Sequence, residues 1–223
     1  MTDRWRDYVE GALADAGNPL AAAYADWRYM TPVFDRIRHR FPTGSRILEV
    51  GCGAGLHACL LASWGYRVTA GDLDPRIVER ARSTAQAFGQ EVEVVELDAL
   101  ALPNDLLEFD LAFSLGLVEH FDRPVTVEML RAQARAARVV MVVIPTKHTE
   151  HADGISDERI YSLPQLEGIV RDAGMKVADA FVFGDVPTKT SYRMRRLVPP
   201  DVYFLLQRRF SYGMNLCVFG RAR

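Results

Sequence analysis

Apolar residues fall on two periods along this chain, and the period changes repeatedly. Residues 3–16 and 20–40 carry helical spacing, with Trp5, Tyr8, Val9, Ala12 and Leu13 on one stripe. Pro42-Thr43-Gly44 breaks that region. From there, short apolar runs alternate with amphipathic stretches. RILEV, YRVTAG, VEVVEL, FDLAFSL and RVVMVVI read as strands, while LHACLLASW, PRIVERARSTAQAF and RPVTVEMLRAQARAA read as helices. Asp74-Pro75 is a helix start, an N-cap acceptor followed by a proline whose missing N–H costs nothing in a first turn. SLPQLEGIVRDAG is a further capped helix that stops at Gly174. KVADAFVFG and NLCVFGRAR then read as two strands. The connection between them, 185–212, is too long for a plain hairpin. It holds Lys189, Arg193, Arg195, Arg196, Arg208 and Arg209 against few acids. The alternation implies an α/β fold with a parallel sheet covered by helices on both faces.

Composition narrows the class. A chain of 223 residues is one domain of generous size, here expected as an N-terminal helical lid over 1–42 and a body over 43–223. Apolar residues make up 49% and charged residues 25%, as in ordinary globular proteins. A net charge of −2 argues against general binding of nucleic acid or of a membrane surface. No apolar run reaches the length of a membrane span; the longest, VVMVVI at 139–144, reads as a buried strand. MTDRWRDYVEGALADAG lacks the apolar core of a signal peptide. Cys52, Cys59 and Cys217 form no CxxC pair, so they are expected as small buried packers in a reducing, cytoplasmic setting.

The stretch ILEVGCGAG carries the first chemistry. A strand runs into glycines at 51, 53 and 55. The dinucleotide fingerprint needs G-x-G-x-x-G, and residue 56 is leucine. Glu49, two residues before the first glycine, would repel a pyrophosphate and attract an ammonium group. The pattern therefore suits a ligand that lies against the backbone and carries positive charge beside it.

These residues resemble the first motif of the class I S-adenosylmethionine (SAM)-dependent methyltransferases, and the likeness continues in order through 45–183. VTAGDLDP resembles the second motif, which implies that Asp72 binds the two ribose hydroxyls and that Leu73 packs on the adenine. A carboxylate can accept from two vicinal hydroxyls, so the chemistry fits. VELDALALP resembles the third, where Asp98 would accept from the adenine amino group and the Ala99 amide would donate to the ring. FDLAFSLGLVEHF resembles the fourth, with Ser114, Leu115 and Gly116 passing beneath the cofactor. The resemblance implies a seven-stranded, mostly parallel sheet with one antiparallel strand near the C-terminus.

Departures from the family also inform. Members that methylate exocyclic amines of nucleic-acid bases carry Asn/Asp-Pro-Pro-aromatic after the fourth strand, where this chain reads SLGL. A metal-assisted subgroup carries Glu-x-x-Glu-His there, and Gly116 stands in place of the first glutamate, so no metal is expected.

Methyl transfer from a sulfonium needs no covalent nucleophile; in-line positioning supplies on the order of 7–11 kcal/mol, and a general base about 10²–10⁴-fold more. His120, just past the fourth strand, is the first candidate base. Tyr161 stands before the next helix as a second candidate. His148, His151 and Asp153 have the composition of a metal cluster without a fixed spacing, and a polar loop is the simpler reading. Tyr24, Trp27, Arg28, Tyr29 and Met30 would belong to the lid, and the basic 185–212 segment could help enclose an acidic substrate. The expected function is methyl transfer to oxygen or nitrogen of a small molecule. One alternative is intramolecular cyclisation of SAM to azetidine-2-carboxylate with release of methylthioadenosine, and another is a catalytically silent SAM-binding subunit.

Overall fold

The structure, a computed structural model, describes residues 23–24, 27–102, 108–149, 158–186 and 188–222. Seven strands form one sheet in the order β3-β2-β1-β4-β5-β7-β6. They are β1 (Arg46–Val50), β2 (Arg67–Asp72), β3 (Val92–Glu96), β4 (Phe109–Leu115), β5 (Ala137–Pro145), β6 (Lys176–Phe183) and β7 (Asn215–Arg221). β1 to β5 pair in parallel, and β7 runs antiparallel to both β5 and β6. This is the doubly wound, mostly parallel sheet with one antiparallel strand that the family resemblance implies.

The strands bury themselves as their sequences dictate. Val140 to Ile144 of β5 are all buried, as befits a central strand covered on both faces. β3, at one edge, buries only Val94. Alternate β5 residues enter different cores. Met141 and Val143 join Ile47, Phe113 and Phe219 on one face, while Val140, Val142 and Ile144 join Leu166, Ile169 and Val218 on the other. Each large side chain so buried contributes roughly 1.5–3 kcal/mol relative to an exposed one.

Helices α1 (Thr31–Arg40), α2 (Leu56–Ser63) and α3 (Pro75–Ala87) supply residues to the first core, and α4 (Arg123–Ala136) and α5 (Leu163–Asp172) to the second. Their starts follow from local chemistry. The Asp74 carboxylate accepts from the Arg76 N–H at 2.9 Å, and the Asp122 carboxylate accepts from the Val125 N–H at 3.0 Å. At the start of α5 the Ser162 N–H donates to Gln165 Oε1 at 2.7 Å. Gly174 stops α5 at φ 89.

The first described residues are part of the core. Val33, Phe34 and Ile37 of α1 are buried in the first cluster. Arg36 Nε and Arg40 Nη2 reach Asp179 of β6 at 3.3 and 2.7 Å. The Trp27 indole N–H donates to the Leu56 carbonyl at 3.0 Å, and the Tyr29 hydroxyl meets the Asn215 amide. The helical stripe expected at 3–16 lies outside the described residues.

The 185–212 connection holds two helices, α6 (Lys189–Leu197) and α7 (Pro200–Phe210). Sequence pattern did not show α6 because it buries only Ser191 and so has no apolar stripe. Among the described residues no helix is long and apolar enough to cross a membrane.

Candidate functional site

The sheet order reverses between β1 and β4, and open α/β sheets bind ligands in the crevice beyond the strand ends at that point. The loops that meet there are those after β1, β2, β3 and β4. Gly51, Gly53 and Gly55 in the first loop all have positive φ, 74, 52 and 74. Side chains other than glycine avoid that region, so the run of glycines answers to the turn itself. The turn is tied to β2, because the Gly71 carbonyl accepts from the Gly51 N–H at 2.8 Å and the Cys52 N–H at 3.0 Å. Leu117, from the loop after β4, lies so close over Gly51 that a Cβ there would sit 3.1 Å from its methyl carbons.

Asp72, the last residue of β2, is only 6% exposed. One carboxylate oxygen accepts from the Gly53 N–H at 3.3 Å and the other from the Asp74 N–H at 3.1 Å. The acid thus joins the first loop to the second. Burial pushes its pKa up, the amides of Asp74, Gly53 and Leu73 oppose that rise, and the nearby Asp74 carboxylate adds to it. Leu73 is half exposed at the strand end. Asp98 and Ala99 lie just past β3, the neighbour of β2. Asp98 is exposed and its Oδ1 accepts from the Leu100 N–H at 2.9 Å; Ala99 is partly buried between two core clusters. Ser114 is buried, and its hydroxyl has no hydrogen-bond partner among the described residues. Leu115 is partly buried beside it, and Gly116 turns away at φ 65.

Glu49 has a partner in the fold. It is 2% exposed, and its carboxylate sits 3.2 Å from Nδ1 of His57 in the first turn of α2. The sequence reading gave Glu49 to the ligand and passed over His57. The two are eight residues apart across a glycine turn, a spacing that matches no helix or strand period. The three cysteines are buried and free. Burial and the Glu49 and Asp72 carboxylates hold the Cys52 thiol far above its usual range, and burial, with the Glu49 charge, raises Cys59 to about 11. Thiols so protonated are not nucleophiles.

His120 closes the short 3₁₀ turn Val118–His120 after β4. Glu119 beside it is 1% exposed. The Arg159 N–H donates to the Glu119 carbonyl at 2.8 Å, bringing the segment before α5 onto this turn. Glu158 arrives with it, so Glu119, His120 and Glu158 form one gathering of potential metal donors. Tyr161, in contrast, packs against the second core. His148 lies against the Tyr212 ring, 5.0 Å between centroids, while His151 and Asp153 are outside the described residues. The cations of 185–212 are on the surface. Arg195 pairs with Asp185, and Arg196 and Arg209 lie over Tyr192 and Phe210.

A family model described as a methyltransferase domain matches residues 47–139. The match covers about two fifths of the chain. The match holds the glycine turn, Asp72, Asp98 and His120. The ubiquinone biosynthesis O-methyltransferase of Methylocella silvestris is 41% identical over 86 residues, 39% of this chain and 34% of that protein. The Rickettsia typhi protein of the same name is 28% identical over 161 residues, 72% of this chain and 57% of its own length. The chain thus spans roughly one third to three fifths of these two relatives. Among solved structures, a SAM-dependent methyltransferase from Aquifex aeolicus superposes with a TM-score of 0.63 at 18% identity, covering 86% of this chain and 89% of that one. Magnesium protoporphyrin IX methyltransferase from Synechocystis PCC 6803, with S-adenosylhomocysteine bound, gives 0.64 at 16% identity over 89% of this chain and 84% of that one. The fold is that of the class I methyltransferases.

Proposed function

We propose that this chain is a SAM-dependent methyltransferase acting on an oxygen of a small molecule, with residues 43–223 as the SAM-binding body and 1–42 as its cap. The observation that carries the reading is the junction of Asp72 with the glycine turn through the Gly53 N–H. It places a buried carboxylate at the rim of a backbone cradle in which each glycine has positive φ. With one bond to Gly53 and one to Asp74, the carboxylate keeps acceptor capacity for two hydroxyls.

The fit extends along the strand ends. Leu73 offers an exposed apolar face to the adenine, Asp98 an exposed carboxylate to its amino group, and the Ala99 amide a donor. Ser114 and Leu115 floor the cradle, and the Ser114 hydroxyl is a buried polar group still open to a partner. Glu49, tied to His57, sets negative charge beneath the side that would take the methionyl ammonium. When bound, SAM supplies a methyl group already activated by its sulfonium. The protein's part is to hold that group in line and keep water away. The acceptor would lie on the His120 side, past β4. Oxygen is preferred over nitrogen because two relatives that align with this chain, those of Methylocella silvestris and Rickettsia typhi, are named O-methyltransferases.

Calorimetry of the chain with SAM, followed by mass spectrometry of the products, tests this. One SAM bound per chain, with S-adenosylhomocysteine appearing only when hydroxylated small molecules are added, supports transfer. Methylthioadenosine from SAM alone would replace transfer with cyclisation. Binding with no nucleoside product from any acceptor would leave a silent SAM-binding subunit.

A further inference from the structure

Glu49 and His57 flank the glycine turn. Glu49 is the next-to-last residue of β1, in register with Ala70 of β2 and Phe113 of β4. Side chains alternate along a strand, so Glu49 shares a face with Ile47, which is buried in the first core. A carboxylate on that face, 2% exposed, has to be compensated by hydrogen bonds or positive charge. His57 supplies one such bond. The turn through Gly51, Gly53 and Gly55 brings the start of α2 back to the end of β1, and His57 Nδ1 lies 3.2 Å from Glu49 Oε1. An ionised carboxylate only accepts, so the proton of that bond is on Nδ1. The imidazole is held in turn by Phe34 of α1, with 5.7 Å between ring centroids, and Phe34 meets the edge of Trp64. Both Glu49 and His57 make other contacts as well. The Glu49 charge reaches into the turn itself, where burial first and that charge second raise the Cys52 thiol. The titratable groups it acts on, Cys52 and Cys59, are neutral thiols, and the Asp72 carboxylate near Cys52 is an anion, so these three bring no positive charge.

We propose that His57 is a positioning residue for SAM: its Nδ1–H keeps Glu49 ionised and fixed in place for the methionyl ammonium. The role rests on the SAM reading given under Proposed function and deepens it. Without the donor, less would compensate the buried charge, and burial would favour the protonated form of Glu49. A neutral carboxyl attracts an ammonium far less than a carboxylate does. SAM would then bind as Glu49 gives its proton to water, the O–H electron pair staying on the carboxylate, and the cost of that ionisation would be subtracted from the affinity. The adenosyl half of SAM falls to Asp72, Leu73 and Asp98, at the ends of other strands. Loss of the His57 donor is therefore felt by ligands that carry the ammonium and not by those that lack it. This separates His57 from a residue that merely packs under the turn, whose loss would disturb both halves of the cradle together.

Methylthioadenosine has the adenosyl group of SAM and lacks its amino-acid end, so the two ligands probe the two halves separately. Calorimetry of the full chain with each, in two buffers of different ionisation enthalpy, reads both the affinity and the protons released. His57→Phe keeps a ring against Phe34 and removes the donor. It should bind SAM about tenfold or more weakly, bind methylthioadenosine within about twofold of the parent, and release more protons on taking SAM than the parent does. His57→Leu is a second variant without the donor, so a packing fault in one does not decide the result. His57→Asn, which returns an N–H near the Nδ1 position, should recover most of the SAM affinity. Equal losses for both ligands, unchanged or tighter SAM binding, proton release equal to the parent's, or no recovery with asparagine would each overturn the proposal. Where methylthioadenosine binds too weakly to compare, the proton count decides alone. A parent chain that takes up neither ligand would overturn the SAM reading itself, and the role of His57 with it.

Discussion

Replacing Asp72 by asparagine removes a charge and keeps a shape, and the structure fixes what else changes. In the parent both oxygens accept, one from Gly53 at 3.3 Å and one from Asp74 at 3.1 Å. The amide of asparagine has one acceptor oxygen and one donor nitrogen. One backbone N–H would then face a donor, and one ribose hydroxyl would lose its acceptor. A hydrogen bond to a charged group contributes about 1.5–3 kcal/mol, so Asp72→Asn should weaken SAM binding about 10- to 150-fold. The pH dependence has a definite sign as well. Burial raises the folded-state pKa of Asp72 above its unfolded value. The folded chain therefore holds this proton more tightly than the unfolded chain. The Asp72 contribution makes stability fall as pH rises from the ordinary carboxylate range through the raised value, and it is constant above. SAM affinity runs the other way, falling as pH drops through that same raised value. Isothermal titration calorimetry reads the first effect. Denaturant unfolding of the ligand-free protein across acidic pH reads the second, and the variant should lose that component of the slope. A variant with a native circular dichroism spectrum and parental SAM affinity would refute the role given to Asp72.

Three further expectations follow from the same geometry. Gly53→Val forces a β-branched residue to φ 52 at the ligand face, and should abolish SAM binding in calorimetry while leaving most of the secondary structure in place. Gly71→Ala puts a Cβ 2.5–2.6 Å from Leu97 side-chain atoms, and should cost about 1–3 kcal/mol in denaturant unfolding through overpacking. His120→Ala should lower turnover about 10²–10⁴-fold with SAM affinity held, whereas a purely structural histidine would lower melting temperature and leave turnover near normal.

What the sequence disclosed was whatever its local patterns encode. The run from Val140 to Ile144 is apolar throughout because both faces of β5 are covered, and Asp74-Pro75 starts α3 with its own side chain. The positive φ of Gly51, Gly53 and Gly55 could be anticipated from their spacing at a strand end. The features that escaped are those made by distant partners or by exposure. α6 shows no periodicity because it buries only Ser191. His57 becomes notable only when the glycine turn folds it back onto Glu49. Gly71 reads as one more strand residue until Leu97 is seen packed across it. Glu158 sits in a polar loop and gains meaning only through the Arg159 bond to Glu119.

The position of β7 bears on how the molecule is made. It is translated after β5 and β6 yet lies between them, pairing with both along their length. Until it emerges from the ribosome, those two strands must wait about two strand spacings apart, roughly 10 Å, with unpaired backbone groups along β5 beside the apolar run Val140–Ile144. The half of the sheet made of β1 to β4 has all its partners earlier. A nascent chain halted just short of residue 215 would thus carry the glycine cradle together with an open apolar edge, the kind of surface that recruits chaperones or pairs with a neighbouring chain.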